Sequence, residues 1–331
     1  MTLNKIAELT GASVATVSKA FSGSSEISEQ TRERIFKAAK ELGCFEKYYK
    51  GEKTRRLIAL IFPEVESEYY ATQIGLLERE IHTRGADSIV ILTRFDNQET
   101  ARLFSELAYR LKVDGFIVTG SSSAIKNPDE IPLVSLGSTL HKKTNADHVQ
   151  VDYSSGMNDM VKLIKEYGHR EIGFIGERLT TARLDLFKSA MRQHGLPIHE
   201  KYIATSTKRF ADAGEDCMIQ LKKRGAVPTA IIASYDRMAM GAMRTAKGMG
   251  YRLPEDISFV GIDDLAVADY LDVPLTSLHV HLEDVCKRVV DLIFKRIDNR
   301  HYRQRQEIVV PVSIALRDSL SRIGEKQGSG M

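Results

Sequence analysis

At 331 residues, with 43% apolar and 27% charged side chains, the chain has the balance of a folded protein of more than one domain and is far from a disordered one. No run approaches the roughly 18 apolar residues of a membrane-spanning helix, and Met1-Thr-Leu-Asn-Lys-Ile-Ala-Glu8 carries no apolar signal core, so a cytoplasmic location is expected. Cys44, Cys217 and Cys286 form no C-x-x-C pair and fit a reducing compartment. The net charge of +3 is uneven: residues 1–56 hold 7 Lys and 4 Arg against 7 Glu, while the rest is close to neutral. A small basic head on a neutral body suggests a nucleic-acid-binding module joined to something else.

The head reads as three short helices. Thr2 caps the first, with Leu3, Ile6, Ala7 and Leu9 as its apolar stripe and Gly11 as its stop. Ser13 caps the second, Val14 to Phe21, and Ser28 caps the third, Glu29 to Leu42, with Ile35, Ala38, Ala39 and Leu42 inward and Gly43 as its end. Two helices joined by a tight glycine-containing turn, with a supporting third, describe a helix-turn-helix. In the second helix Val17, Ala20 and Phe21 make the buried stripe, which leaves Val14, Ala15, Thr16, Ser18 and Lys19 at the N-terminal end or on the open face. Small residues allow close approach to base edges, and hydroxyls and a lysine suit phosphates or guanine. Spacing alone fits a plain three-helix bundle equally well.

The residue types narrow that choice. Ser13-Val-Ala-Thr-Val-Ser-Lys-Ala-Phe-Ser-Gly23, Ile27-Ser-Glu-Gln-Thr-Arg-Glu-Arg-Ile35 and Glu41-Leu-Gly43 resemble the DNA-binding head of the lactose-repressor (LacI/GalR) family. The resemblance implies that Val14, Ala15 and Lys19 read bases in the major groove, while Ser13, Thr16, Ser18 and Ser22 hold the backbone. Lys19 stands where the family often has arginine; a lysine lacks the bidentate fork, so discrimination at that base pair should be softer.

Residues 44–56 form a basic connector. The family has an aromatic-x-Pro-Asn signature here and a hinge helix that inserts a leucine into the minor groove. This chain has no Pro-Asn and no leucine between Phe45 and Leu57, and its connector is about three residues short. A solvated linker with Lys47, Lys50, Lys53, Arg55 and Arg56 near phosphates is expected, with Tyr48 or Tyr49 as the alternative wedge.

From residue 57 short apolar runs alternate with amphipathic stretches. Strands are expected at 57–62, 88–92, 115–119, 133–136, 172–175, 203–205, 230–233, 257–262, 276–279 and 307–316. Helices are expected at 69–83, 98–112, 157–167, 182–194, 211–224, 237–249 and 282–296. Strand–helix alternation over roughly 260 residues implies an α/β body of two similar parallel-sheet lobes, with the break near 149–154 and crossovers near 281 and 312. Residues 319–331 read as a tail, without heptads for a tetramerising coil. Segments such as Lys112-Val-Asp-Gly-Phe-Ile-Val118, Tyr167-Gly-His-Arg-Glu-Ile-Gly-Phe-Ile175 and Leu253-Pro-Glu-Asp-Ile-Ser-Phe-Val-Gly-Ile-Asp-Asp264 resemble the same family's effector domain, which is similar to periplasmic sugar-binding proteins.

Ligands in such sheets bind beyond the carboxyl ends of the strands. Arg183 begins a helix after the strand 172–175, Asp236 follows the strand 230–233 and Asp263 follows 257–262, and a guanidinium facing carboxylates suits a polyol. The resemblance supports ligand contact for Arg183 and Asp263; Asp236 has a strong competing role as a helix cap. Tyr235 stands where the family often has asparagine, and Tyr153 likewise adds an aromatic face. Tyr69, Tyr70, Ser121, Ser122 and Gly137 are expected to line the first lobe's side of the cleft.

No phosphate-cradling Gly-Lys-Ser/Thr and no G-x-S-x-G elbow occurs. His279 and His281 lack a third metal ligand nearby in sequence. Neither an enzyme, a metal site nor a cofactor is expected. What the residues and the resemblance together imply is a transcription regulator, in the mode of a repressor, of a carbohydrate operon: a homodimer on double-stranded operator DNA, with no membrane partner and a small-molecule effector in the cleft. The alternative is a regulator controlled by a partner protein or by a non-sugar ligand such as a nucleoside.

Overall fold

The computed structural model describes residues 3–48, 55–120, 124–127, 130–137, 146–299 and 304–324. Two compact units divide near Arg56. The first begins with α1 (Leu3–Thr10), α2 (Val14–Phe21) and α3 (Glu29–Glu41), followed by one short turn, α4 (Phe45–Tyr48). Ser13 accepts from the Thr16 amide at 3.0 Å and Ser28 from the Thr31 amide at 3.4 Å, so both expected caps form. Gly11 and Gly43 follow their helices at φ 64° and 62°, a conformation that costs glycine nothing. The expected Thr2 cap lies outside the described residues.

Ile6, Val17, Ala20, Phe21, Ile35 and Ala39 close the core of the head. Two expectations are corrected here. Leu9 is 58% exposed, because in an eight-residue helix already anchored by Ile6 and Ala7 its side chain turns out to solvent. The head also does not end at Gly43. Cys44 is buried in its core, and the Phe45 and Tyr48 rings lie 6.1 and 5.9 Å from that of Phe21. Tyr48 is therefore packing material of the head and not a spare wedge; Tyr49, Lys50 and Lys53 lie outside the described residues.

The second unit holds two six-stranded sheets. The first is built from β1 (Arg56–Phe62), β2 (Ala86–Leu92), β3 (Gly115–Thr119), β4 (Leu133–Leu136), β5 (Asp147–Val151) and β11 (Glu307–Val310), in the order β11-β5-β4-β3-β1-β2. The other is built from β6 (Ile172–Glu177), β7 (Ile203–Ser206), β8 (Ala230–Ala233), β9 (Ser258–Asp263), β10 (Thr276–Val280) and β12 (Val312–Ala315), in the order β12-β10-β9-β8-β6-β7. Its pairs are parallel except β10 with β12.

Helices α5 (Glu68–Thr83), α6 (Asn97–Glu106) and α11 (Leu282–Asp298) belong to the first lobe. The second takes α7 (Tyr153–Glu166), α8 (Thr181–Gln193), α9 (Phe210–Lys223) and α10 (Asp236–Gly248). Buried apolar residues such as Ala59, Phe104 and Phe116 fill the first lobe. Both faces of the second sheet are covered, by Met157, Phe174 and Phe187 on one side and Cys217, Ala242 and Phe259 on the other. Gly214 and Gly241 bring α9 and α10 into backbone contact: a Cβ on either would lie 2.0 Å from a facing carbonyl oxygen.

The chain crosses between lobes after β5, after β10 and between β11 and β12. The apolar run 307–316, read as one strand, is two. Pro311 has no N–H to give a ladder, so the residues before it pair with β5 and those after it with β10. Within the first lobe Arg296 of α11 grips Asp147 of β5 at 2.7 and 2.6 Å, both side chains buried.

The expected tail is also corrected. Ser319 is buried and donates to the Phe259 carbonyl at 2.6 Å, Leu320 joins the second lobe's core, and the Ile323 amide donates to the Tyr167 carbonyl at 2.9 Å. Residues 325–331 lie outside the described residues.

Candidate functional site

Two surfaces hold the residues singled out from sequence. On the head, Ser13 is extended at φ −74°, ψ 154°, and its hydroxyl sits 2.8 Å from that of Thr16. This turn starts α2 with Ser13, Val14 and Ala15 exposed, and Ser18, Lys19 and Ser22 follow on the open side. Val17, Ala20 and Phe21 occupy the opposite, buried stripe. Lys19 forms an ion pair with Glu26, and Ser22 donates to the Lys19 carbonyl at 3.1 Å. Both partners of the ion pair are more than half exposed, so it holds the lysine only weakly. The result is a helix end with small side chains, exposed hydroxyls and one long cation.

In the body, a cavity of about 300 Å³ opens between the lobes at the carboxyl ends of the strands. Arg183, Asp263, Tyr235, Tyr69, Tyr70 and Gly137 line it, as expected. Ser121 and Ser122 lie outside the described residues. Arg183 enters from the first turn of α8, donates to Asp263 at 3.1 Å and to the Ser234 carbonyl, and stacks 4.7 Å over the Tyr153 ring. Tyr153, at the start of α7, in turn donates to the Tyr69 hydroxyl of the first lobe at 3.1 Å. Asp263 ends β9 in a positive-φ conformation, 109°, and Asp264 follows at 54°. A φ of 109° lies outside the left-handed region that aspartate tolerates and is strained for any side chain, whereas 54° falls within that region. Burial pushes the Asp263 carboxyl up to about 6, against the opposing pull of Arg183.

Asp236 is not part of this cavity, and the effector role expected for it is corrected. It is fully buried, accepts from the Leu265 amide at 2.7 Å and the Ser277 hydroxyl at 2.5 Å, and makes no cap bond to its own helix. Burial first, then nearby Asp263, raises its carboxyl to about 8. Gly261 makes the room: a Cβ there would lie 2.0 Å from the Asp236 oxygen. Asp236 therefore ties the loop after β9 to β10.

Five residues important to the cleft escaped sequence reasoning. Glu177, the last residue of β6, is 3% exposed and meets Arg209 at 3.4 Å. Burial raises its carboxyl, with Arg209 opposing. Arg209 then crosses to the first lobe and binds Glu64 through both guanidinium nitrogens, one at 2.8 Å, while stacking 4.4 Å over Phe210. Gln73 of α5 and Thr119 of β3, 1% and 7% exposed, complete the floor on the first lobe's side. Each was embedded in an apolar or turn-like stretch with no motif to mark it. Among the described residues no group of His, Cys, Asp and Glu gathers as a metal centre, and no helix is long and apolar enough to cross a membrane.

Comparison with known proteins fits this division. Residues 2–44 match the bacterial regulatory proteins of the lacI family, and residues 161–320 match the periplasmic binding protein-like domain. The HTH-type transcriptional repressor CytR of Escherichia coli (strain K12) is 27% identical over 311 residues, covering 91% of each chain. The HTH-type transcriptional regulator DegA of Bacillus subtilis (strain 168) is 28% identical over 336 residues, covering 97% of this chain and 98% of its own. Among solved structures, the complex of the transcriptional regulator CelR with cellobiose superimposes with a TM-score of 0.68 at 26% identity, covering 96% of this chain and 99% of that one.

Proposed function

The chain belongs to the LacI family of bacterial regulatory proteins, and on that premise we propose that it is a cytoplasmic, homodimeric repressor of carbohydrate-utilisation genes whose operator affinity is set by a sugar in the interlobe cavity. The observation that carries the reading is the convergence of Arg183 and Asp263 with four tyrosine rings on one enclosed space at the strand ends. Sugars present hydroxyls that donate and accept at once, and C–H faces that pack on aromatic rings. A carboxylate and a guanidinium fixed to each other, beside the Tyr69, Tyr70, Tyr153 and Tyr235 rings, match both needs. Among similar proteins CelR is held with a disaccharide, cellobiose, which adds weight to the same ligand class here. Among the described lining residues no nucleophile is paired with a base, which supports recognition as the cavity's chemistry.

On the head, Val14, Ala15 and Lys19 are assigned to base edges in the major groove and Ser13, Thr16, Ser18 and Ser22 to the backbone. Two such heads in a symmetric dimer read a near-palindromic site. Binding of the sugar favours the closed pairing of lobes by exactly the difference in its affinity for the two states, which is the free energy available to change operator affinity.

Selection of operator duplexes from a random pool by the purified protein tests the first half; a near-palindromic consensus is expected, and a sequence-indifferent pool would overturn it. The second half is tested by thermal shift with sugars, where a ligand at a hundred times its dissociation constant adds about 2.7 kcal/mol.

A further inference from the structure

We propose that the effector is an amino sugar, whose ammonium group pairs with Glu177 on the second lobe's wall of the cavity. This deepens the effector-site reading and rests on it.

Glu177 ends β6 with its side chain 3% exposed and lining the cavity, and its Oε2 has no hydrogen-bond partner. Its other oxygen accepts from Nε of Arg209 at a long 3.4 Å. The stronger bonds of that guanidinium, through its two terminal nitrogens, go to Glu64.

The charges at the cavity do not balance. Among the described residues there, Asp263 is matched by Arg183, while Glu64 and Glu177 share Arg209. Three carboxylates therefore stand against two guanidiniums, and Glu177 is the one held least. Burial pushes the Tyr235 phenol beside it up to about 13, so that ring stays neutral and brings no charge. A buried carboxylate without its own counter-ion is costly, and folded proteins meet it with a cation or a proton. The unmet oxygen borders the cavity, so a ligand cation completes it.

An ammonium is a compact cation with three donors, which suits an oxygen that only accepts. It meets a carboxylate that folding has already taken out of water, so only the ligand's own desolvation opposes the pair. The fixed Arg183–Asp263 pair and the tyrosine rings receive the hydroxyls and ring faces of the sugar. Both lining guanidiniums are engaged, so an amine that also carries a phosphate or carboxylate finds no cation for its anion among the described lining residues.

The test is calorimetric titration of the full-length protein. The amine probes are D-glucosamine, D-galactosamine, 6-amino-6-deoxy-D-glucose and the iminosugar 1-deoxynojirimycin. They are set beside D-glucose, D-galactose, cellobiose, N-acetyl-D-glucosamine and glucosamine 6-phosphate. At least one amine is expected to bind at least tenfold tighter than its neutral parent, because charge-assisted bonds are the strong ones. N-acetylation keeps the nitrogen, removes the charge and should erase that advantage. Glu177→Gln keeps the shape of the side chain and should bring amine and parent within about twofold, with the ligand-free melting temperature unchanged or raised. Glu64→Gln leaves Arg209 to Glu177 alone and should shrink the advantage without altering the cavity wall.

Neutral sugars that bind as tightly as their amines, or tightest binding by the phosphate, overturn this inference and leave the effector-site reading standing. An amine advantage that survives either substitution at full size also overturns it. No response to any compound overturns the inference together with the sugar-effector reading.

Discussion

Arg209 of the second lobe binds both carboxylate oxygens of Glu64 of the first, and Glu64 is only 11% exposed. Two parallel charge-assisted bonds across the cleft tie the two lobes to each other in this arrangement. Glu64 does not line the cavity, so its effect on a ligand can only be exerted through closure and through Arg209. Glu64→Gln is expected to weaken sugar binding about tenfold in calorimetric titration, a coupling within the usual range. Unchanged affinity would show that the pair plays no part in closure.

Arg183→Ala should remove the effector response altogether. It takes away the partner of Asp263 and the cation stacked on Tyr153, leaving a buried carboxylate unpaired. Breaking such a pair costs about 3 kcal/mol, so the melting temperature falls as well. Operator binding measured by fluorescence anisotropy should persist at a temperature where the variant is folded, and should no longer respond to any sugar that acts on the parent protein.

The raised carboxyls give the pH dependence a definite sign. Asp263 titrates at about 6 in the folded protein against an ordinary value of 3.8, so the folded chain holds the proton more tightly than the unfolded one. Its contribution makes stability rise as pH falls from about 6 towards 3.8. Asp236, at about 8, acts in the same direction over a wider window, from about 8 down to 3.8. Asp236→Asn keeps a neutral group where the parent carries a proton and should flatten the stability profile between pH 6 and 8 in thermal melts. Ligand affinity should run opposite to the Asp263 stability term, dropping as pH passes below about 6, because protonation removes the charge that holds Arg183. Asp263→Asn should abolish that inflection.

On the head, Lys19→Ala is expected to reduce operator affinity by about tenfold and to lessen its salt dependence, with little change in melting temperature. The exposed Glu26 pair is the reason stability is spared. Glu26→Gln should hold or improve affinity, because it frees the lysine before DNA arrives. A weaker complex with Glu26→Gln would mean that Glu26 positions Lys19 for contact.

Much of this architecture was legible because local chemistry and global fold agree. Ser13, Ser28, Gly11 and Gly43 mark helix ends by conformation alone, and the family resemblance together with the expected strand-end location picked out Arg183 and Asp263. The failures have physical causes. Asp236 has the same strand-end address, yet its carboxylate bends under the sheet because Gly261 leaves a hole there. Glu177 extends a strand read as ending at Ile175, since an acidic residue after an apolar run resembles a turn until its burial is known. Arg209 and Glu64 are ordinary charges in their own segments and become a pair only through the tertiary fold. Leu320 and Ile323 lie in a polar, glycine-bearing stretch that looks like a tail but is held by Ser258, Phe259 and Tyr167 of the second lobe.

The central claim, that occupancy of the interlobe cavity governs operator binding, is tested most directly by one paired titration. Operator affinity of the parent protein and of Arg183→Ala is measured on the selected duplex, with and without a sugar that raises the parent's melting temperature. The account predicts a change of at least about tenfold in the parent and none in the variant. A sugar that binds the parent yet leaves operator affinity unchanged, or one that acts equally on both proteins, would contradict it.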